Sequence, residues 1–476
     1  MSDKKSKSEK RNNQITRSMK RVKDRVTLEI IRLGINGEGV GYLKGQVVFV
    51  DGALPGEKVI VEATEIKDKY AKAKVVKFIN RSNERIKGKC SIYSKCGGCT
   101  LQHYQYQAQL DAKREIVKES FEKYLGKKHE IPEIKSVLGM DNPWQYRNKA
   151  QIPLAEKNNK VIVGLYRAGS NRIIEMKQCM VHHPELDKAI QGIKEIVEEL
   201  KIPIYDPKKK KGQLRNIVAR ISFATREMQV VLVTFTNELK ESKELVKRIA
   251  MQFPKVVSIA QNINPAITPL VMGDKTKILW GKERLVETIG EIKYSLSPRS
   301  FFQLNPTQME VLYNEVSKAA QLTGEESVLD AYCGAGTLSL WLAKEASEVR
   351  GVEVVADAIK DAKYNAELNN ITNVHFSVGN VERVLPKWVK KGYRADVIVV
   401  DPPRTGLGEK LLTAINDAKP KKIIYVSCNP ATLAKDCKHL IEKGYNIEYV
   451  QPVDMFPQTS HVESVALLTL KCVNNT

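Results

Sequence analysis

The 476-residue chain has no unbroken apolar run long enough to span a membrane, no lipidation signal and no obvious amphipathic anchor. No apolar stretch follows its basic N-terminal residues, so they do not read as a signal peptide, and a cytoplasmic protein is expected. A mitochondrial presequence is disfavoured because lysine outnumbers arginine there. There is no tandem repeat. Acid is scarce relative to base: 55 Asp and Glu stand against 77 Lys and Arg, a formal net charge of +22. Such an excess calls for a polyanionic partner, and with the membrane features missing a nucleic acid is the better candidate.

Charge is densest at the start. Lys4, Lys5, Lys7, Lys10, Arg11, Arg17, Lys20, Arg21, Lys23 and Arg25 face only Asp3, Glu9 and Asp24, a composition that buries no core and is expected to be disordered when free. From Val26 to about Asn80 the pattern becomes short alternating strands with glycine turns: Val26–Leu33, Gly39–Leu43, Gln46–Val50, Lys58–Lys67 and Tyr70–Ile79. Five strands in so short a span read as a small barrel of the oligonucleotide-binding kind. Lys67, Lys69, Lys72, Lys74 and Lys77 place positive charge along one hairpin, and Lys208–Lys211 is a second candidate phosphate contact. A central region continues with a helix, Tyr104–Leu125, and strands Ala150–Leu154, Val161–Arg167, Ile217–Thr225 and Met228–Phe235.

The central region also carries thiols. Cys90, Cys96 and Cys99 are spaced C-x5-C-x2-C around Gly97 and Gly98, with Cys179 as a distant fourth. Four thiols can close around a zinc ion or an iron–sulfur cluster, and spacing alone does not decide. With His103, His182 and His183 nearby, a three-cysteine, one-histidine zinc site is also conceivable. Disulfides are disfavoured because nothing in the chain points to secretion. Cys333, Cys437 and Cys472 read as buried or incidental.

Beyond residue 327 strands and helices alternate, as in an open, mostly parallel sheet covered on both faces. The strands are Ser327–Cys333, Val349–Val354, Val374–Val378, Asp396–Val400, Ile423–Cys428, Ile447–Val453 and Val462–Leu470, the last expected to enter antiparallel because no helix precedes it. Helices are expected at Thr337–Ala346, Ala356–Asn369, Glu409–Ala418 and Ala431–Lys443. Such a sheet binds ligand at the carboxyl ends of its strands, where Tyr332, Glu353, Asn380, Asp401 and Cys428 fall. Gly334 and Gly336 let the backbone approach a ligand, and Glu353 holds the position that grips ribose hydroxyls. The turn lacks a third spaced glycine and a following lysine, which disfavours pyrophosphate or triphosphate. A nucleoside without phosphates fits better, and S-adenosylmethionine is the common one.

Asp401-Pro402-Pro403-Arg404 lacks the aromatic platform that amino-group methyltransferases place after the prolines, which argues against attack on an exocyclic amine. A pyrimidine C5 becomes nucleophilic only after something adds at C6. A thiolate can do so, and a base must then take the C5 proton. Cys428 fits the first role and Glu463, in the last strand region, the second. A cysteine ending a buried strand is also often a small hydrophobe.

Phe302-Gln303-Leu304-Asn305, Asp330-Ala331-Tyr332-Cys333-Gly334-Ala335-Gly336-Thr337, Asp401-Pro402-Pro403-Arg404, Ser427-Cys428-Asn429-Pro430 and His461-Val462-Glu463, in that order, resemble the RNA uracil-C5 methyltransferase family. The resemblance implies that Gln303, Tyr332, Glu353 and Asp401 contact S-adenosylmethionine, that Cys428 is the nucleophile and that Glu463 is the base. Asn380 is a weaker candidate for the adenine end of the cofactor, and Arg404 for orienting the uracil or the RNA. Similarity to the ribosomal RNA branch implies a [4Fe-4S] cluster on Cys90, Cys96, Cys99 and Cys179, with zinc as the alternative. Gly37–Gly41 and Leu54–Glu57 resemble the TRAM domain, an RNA-binding barrel. The organisation expected is a basic tail (1–22), a TRAM barrel of the OB-like kind (23–80), a central α+β domain with the cysteine site (81–298) and a Rossmann-like class I methyltransferase domain (299–476). The function expected is 5-methyluridine formation in RNA, 23S ribosomal RNA foremost. The alternatives are a tRNA uracil-C5 methyltransferase and a non-catalytic RNA-binding or ribosome assembly factor. A cytosine-C5 enzyme is disfavoured because Pro403-Arg404 stands where Pro-Cys would. No obligate protein partner is evident.

Overall fold

The computed structural model describes Met19 and residues 21–126, 128–268 and 270–471. Most of the expected basic tail (residues 1–18 and Lys20) and Cys472 lie outside the described residues.

The first sheet holds β1 (Arg25–Glu29), β2 (Arg32–Leu33), β3 (Gly39–Leu43), β4 (Gln46–Asp51), β5 (Lys58–Ile66) and β6 (Tyr70–Asn80), in the order β1-β5-β6-β4-β3-β2. Alternation drives it: Val59, Val61 and Ala63 of β5 point inward with Val48, Val50, Ala71 and Ala73. Val26–Leu33, expected as one strand, is broken at Ile30, whose N–H turns to the Glu57 carbonyl. The lysine row on β6 is partly matched, Lys72 by Glu65 at 2.8 Å and Lys74 by Glu62 at 2.9 Å.

The central region opens with α1 (Tyr106–Leu125) and β7 (Glu133–Ile134). It then builds a seven-stranded sheet from β8 (Lys149–Lys157), β9 (Lys160–Tyr166), β10 (Ile173–Glu175), β11 (Leu214–Ile221), β12 (Met228–Thr234), β13 (Val256–Ile263) and β14 (Lys275–Gly281), in the order β10-β9-β8-β11-β12-β13-β14. Two helices missing from the sequence reading, α2 (Pro184–Glu199) and α3 (Ser242–Gln252), cover one face through Ile190, Ile193, Leu245 and Ile249. Their apolar residues recur at i, i+3 and i+4, and α3 makes the crossover that parallel β12 and β13 require.

A hairpin of β15 (Leu285–Ile289) and β16 (Ile292–Leu296) packs with α4 (Pro306–Ala320) into the core of the last sheet. That sheet is formed by β17 (Ser327–Ala331), β18 (Glu348–Glu353), β19 (Val374–Val378), β20 (Val397–Val400), β21 (Lys422–Ser427), β22 (Tyr445–Val453) and β23 (Glu463–Leu470), in the order β19-β18-β17-β20-β21-β23-β22-β7. β23 slots antiparallel between β21 and β22, as its missing crossover helix requires, and β7 joins from the central region. The helices are α5 (Thr337–Leu342), α6 (Ala356–Leu368), α7 (Val381–Lys390), α8 (Glu409–Ala418) and α9 (Pro430–Glu442). The helix expected over Thr337–Ala346 stops four residues early, and α7, which contains Pro386, escaped the sequence reading. No helix among the described residues is long and apolar enough to cross a membrane.

Candidate active site

Two strand ends meet at the site. β21 pairs with β23 so that Ser427 lies opposite Ser464. Cys428, the next residue on one strand, and Glu463, the preceding residue on the other, are therefore neighbours at the same end of the sheet. Asn429 accepts a hydrogen bond from the Ala431 N–H at the start of α9, fixing the turn that carries the half-buried thiol. Asn429 and Thr432 also donate to the Arg404 carbonyl, at 2.9 and 3.4 Å, which anchors the loop after β20 against α9.

Electrostatics tie the group together. Burial pushes the Cys428 thiol up, the Glu463 and Asp401 carboxyls add to the rise, and the Arg404 guanidinium opposes it. Glu463 is 7% exposed, and burial, reinforced by Asp401 and opposed by Arg404, raises its carboxyl to about 8. Asp401 stands just after β20 and keeps exposed surface; enclosure of its carboxyl by the surrounding protein still raises it to about 7. Arg404 also reaches the exposed His461, 3.4 Å from Nδ1. The sequence reading gave His461 no role; its place two residues before Glu463 was the available signal.

The expected cofactor residues line the same sheet end. Tyr332 and Cys333 turn out of β17 by donating to the Val352 carbonyl, with Tyr332 itself in the left-handed region at φ 68°. Gly336, at φ 75°, opens α5, and a Cβ there would stand 2.7 Å from the Phe376 ring, so glycine is required twice over. Glu353 closes β18 half-buried and accepts from the Val355 N–H. The Asn380 side chain caps α7 by accepting from Glu382 N–H, and half-buried Gln303 lends its carbonyl to Asn148. Asp330, buried beneath the glycine turn, accepts from Ser339, and burial raises it to about 7.

The segment leading into β23 is held from three sides. Asp454 is fully buried, paired with Lys113 of α1 at 2.5 Å, and accepts from Tyr106 at 2.8 Å. The Gln458 carbonyl accepts from the N–H groups of Thr100 and Leu101 beside the cysteine loop, and Ser460 donates to the Ile35 carbonyl of the first sheet. Lys113 could have been suspected from sequence, because it shares a helix face with Gln109, Ile116 and Val117.

Cys90, Cys96, Cys99 and Cys179 are free, partly exposed thiols, and Cys179 is near enough to the other three to add to the rise that burial gives each of them. Burial is the main cause for Cys99, raised to about 11. Burial also raises Cys179, but His182 outweighs it and leaves that thiol lowered. The loop is strapped to the turn after β9 by Gly97 donating to Tyr166 and Ala168 donating to Lys95. Among the described residues no group of three or more His, Cys, Asp or Glu side chains is drawn close enough to hold a metal ion.

Residues 105–471 match the model of the tRNA (Uracil-5-)-methyltransferase family, and residues 20–76 match the TRAM domain. The chain belongs to this methyltransferase family. An uncharacterized RNA methyltransferase of Bacillus anthracis is 52% identical over 93% of this chain and 96% of its own length. One from Halalkalibacterium halodurans is 50% identical over 96% of this chain and 98% of its own. Among solved structures, Pyrococcus abyssi tRNA (uracil-54, C5)-methyltransferase in complex with S-adenosyl-L-homocysteine is 32% identical, with a TM-score of 0.73 over 93% of this chain and 99% of that one. Membership makes this an RNA methyltransferase of the uracil-5 class, with a TRAM domain at its N-terminal end.

Proposed function

We propose that the protein methylates C5 of a uracil in RNA, with Cys428 as nucleophile and Glu463 as base. The observation that carries this is the strand register that sets a thiol beside a buried carboxylate, with Arg404 next to both. The Cys428 thiolate adds to C6, which makes C5 enolate-like. C5 then takes a methyl group, Glu463 removes the C5 proton, and the C6–S bond breaks to return the thiolate. Arg404 favours the thiolate electrostatically, and Asn429 holds the turn that aims it.

S-Adenosylmethionine, when bound, supplies the methyl group as an electrophilic sulfonium. Gln303, Tyr332, Glu353 and Asp401 would hold it, with Asn380 toward the adenine end. The residues fit such a guest: the turn at Gly334 and Gly336 opens the backbone, and Glu353 ends β18, the place from which nucleotide-binding sheets grip ribose hydroxyls. Cys90, Cys96, Cys99 and Cys179 would hold a [4Fe-4S] cluster. The donor set suits iron–sulfur or zinc by its chemistry, while among the described residues these side chains stand apart and would have to draw together around the metal; we give the cluster a structural or RNA-binding role because the reaction needs no redox step. The TRAM domain, whose six-stranded sheet we read as an OB-like barrel, would grip RNA beside the catalytic domain.

23S ribosomal RNA is our preferred substrate, on the strength of the cysteine set. A tRNA substrate is the second reading, favoured by the likeness to the archaeal tRNA enzyme. Tritium release from RNA labelled at uracil C5 tests both. With S-adenosylmethionine and anaerobically purified protein, release is expected from 23S rRNA and lost in Cys428→Ala, while RNA binding survives. Release from tRNA alone would move the assignment to tRNA, and release from neither would leave a binding role.

A further inference from the structure

Across the central sheet runs a row of polar side chains on the face away from α2 and α3. Lys149 pairs with Arg220, Arg220 with Gln229, and Gln229 with Ser258, on four successive strands. Directly paired residues present their side chains on the same face, about 5 Å apart at Cβ. Three members are closed off from water: Arg220 is 3% exposed, Gln229 2% and Ser258 0%. Lys149, at the start of β8, is the member that remains partly open.

Two neighbouring cations are thus set into a sheet with little to balance them. Arg220 donates from Nη2 to the Ser300 carbonyl at 2.6 Å, while its Nη1 is buried with no partner among the described residues. Glu287 and Asp361 act on Arg220 only from a distance. Glu287 is already occupied by Ser222 and the N–H groups of Phe223 and Ala224, and Asp361 by Ser300 and Arg284. For Lys149 the charged neighbour is Arg220 itself, another cation. Burial and that repulsion push its amine down to about 7. An unpaired buried cation is costly, and the cost is recovered when an anion arrives.

The place where the row opens adjoins the segment that carries Gln303, an expected cofactor contact. Asn148, one residue before Lys149, donates from its backbone to Leu304 and from its side chain to the Gln303 carbonyl. With Arg220 on Ser300, these bonds bracket the segment Ser300–Leu304, from which Phe301 projects 76% exposed.

We propose that Lys149, backed by Arg220, is a phosphodiester-binding site that holds the RNA backbone next to the target nucleotide. The assignment rests on the reading of RNA as substrate. A phosphate oxygen meets Lys149 at the surface, and Arg220 adds a second positive charge that has no competing carboxylate at ion-pair distance among the described residues. Because the contact is to backbone, it contributes affinity and placement without choosing a sequence.

The test compares wild type, Lys149→Gln and Lys149→Arg for binding of a single-stranded RNA oligonucleotide over a range of salt, alongside S-adenosylmethionine binding by calorimetry. Lys149→Gln is expected to lower the slope of log K against log salt by about 0.7, the loss of one single-strand phosphate contact, for target and scrambled RNA alike. Lys149→Arg is expected to keep the slope, and cofactor affinity to be the same in all three. An unchanged slope in Lys149→Gln overturns the assignment. So does weakened cofactor binding with normal RNA binding, which would make the lysine a carboxylate contact for the cofactor. Wild-type protein that binds no RNA would instead remove the functional reading beneath it.

Discussion

Glu463 is the residue whose environment makes the sharpest demands. As a base it must be ionised, yet burial holds its carboxyl near 8. The Cys428 thiol must be ionised too and is raised above its ordinary value, so kcat/KM is expected to climb across the whole of pH 6 to 9 without levelling, measured by tritium release. The same shift has a stability counterpart. A carboxyl raised in the folded state favours folding below its unfolded pKa, and that benefit is lost as pH rises through the folded value, here from about 4.5 to about 8. Glu463→Gln has no proton to lose. Relative to wild type it is expected to gain on the order of 2–4 kcal/mol between pH 5 and pH 8, at roughly 1.4 kcal/mol per pKa unit. Equal pH dependence of urea midpoints in the two proteins would show that the carboxyl is not held as described. Catalytically, Glu463→Gln should stall after methyl transfer and leave an enzyme–RNA adduct that survives denaturing electrophoresis.

At the scale of elements, the link from α1 to the lead-in of β23 matters most. Lys113 and Asp454 are both fully buried, and removing one partner strands the other charge. Lys113→Met is expected to cost about 3–5 kcal/mol, read as a lowered urea midpoint, and to slow turnover by displacing the segment that delivers Glu463. Asp454→Asn, which still accepts from Tyr106, should cost less. A Lys113→Met protein as stable as wild type would mean that the pair does not brace the segment. This network also shows where sequence ceased to inform. The strands of the first and last sheets were legible because alternating Val, Ile and Leu residues and glycine turns mark them locally, and the motifs that carry Cys428 and Glu463 lie on strand ends that the register brings side by side. Lys113 meeting Asp454 is a pairing 341 residues apart, decided only once α1 docks on the last sheet. The helices α2 and α3 were locally periodic, but their many charged residues diluted the apolar stripe.

For the whole molecule, three regions converge on one segment. The first sheet, the cysteine loop and α1 all hydrogen-bond residues 454–460, so a disturbance at Cys99 has a short path, through Thr100, to the approach of Glu463. Protein purified anaerobically is expected to show thiolate–iron absorbance near 400 nm with about four irons per chain. Cys99→Ser should lose that absorbance and fall in thermal stability. Iron-free protein with zinc bound stoichiometrically would transfer the site to zinc.

The placement of β23 has a consequence for synthesis. It is the last described strand in the chain, yet it lies inside the sheet, between β21 and β22, and it begins with the proposed base. While the ribosome is still making it, the two flanking strands have no common partner and Cys428 does not yet have Glu463 beside it. A nascent chain that lacks β23 therefore carries its thiol without the proposed base, and competence arrives in one step when that strand slides into its slot.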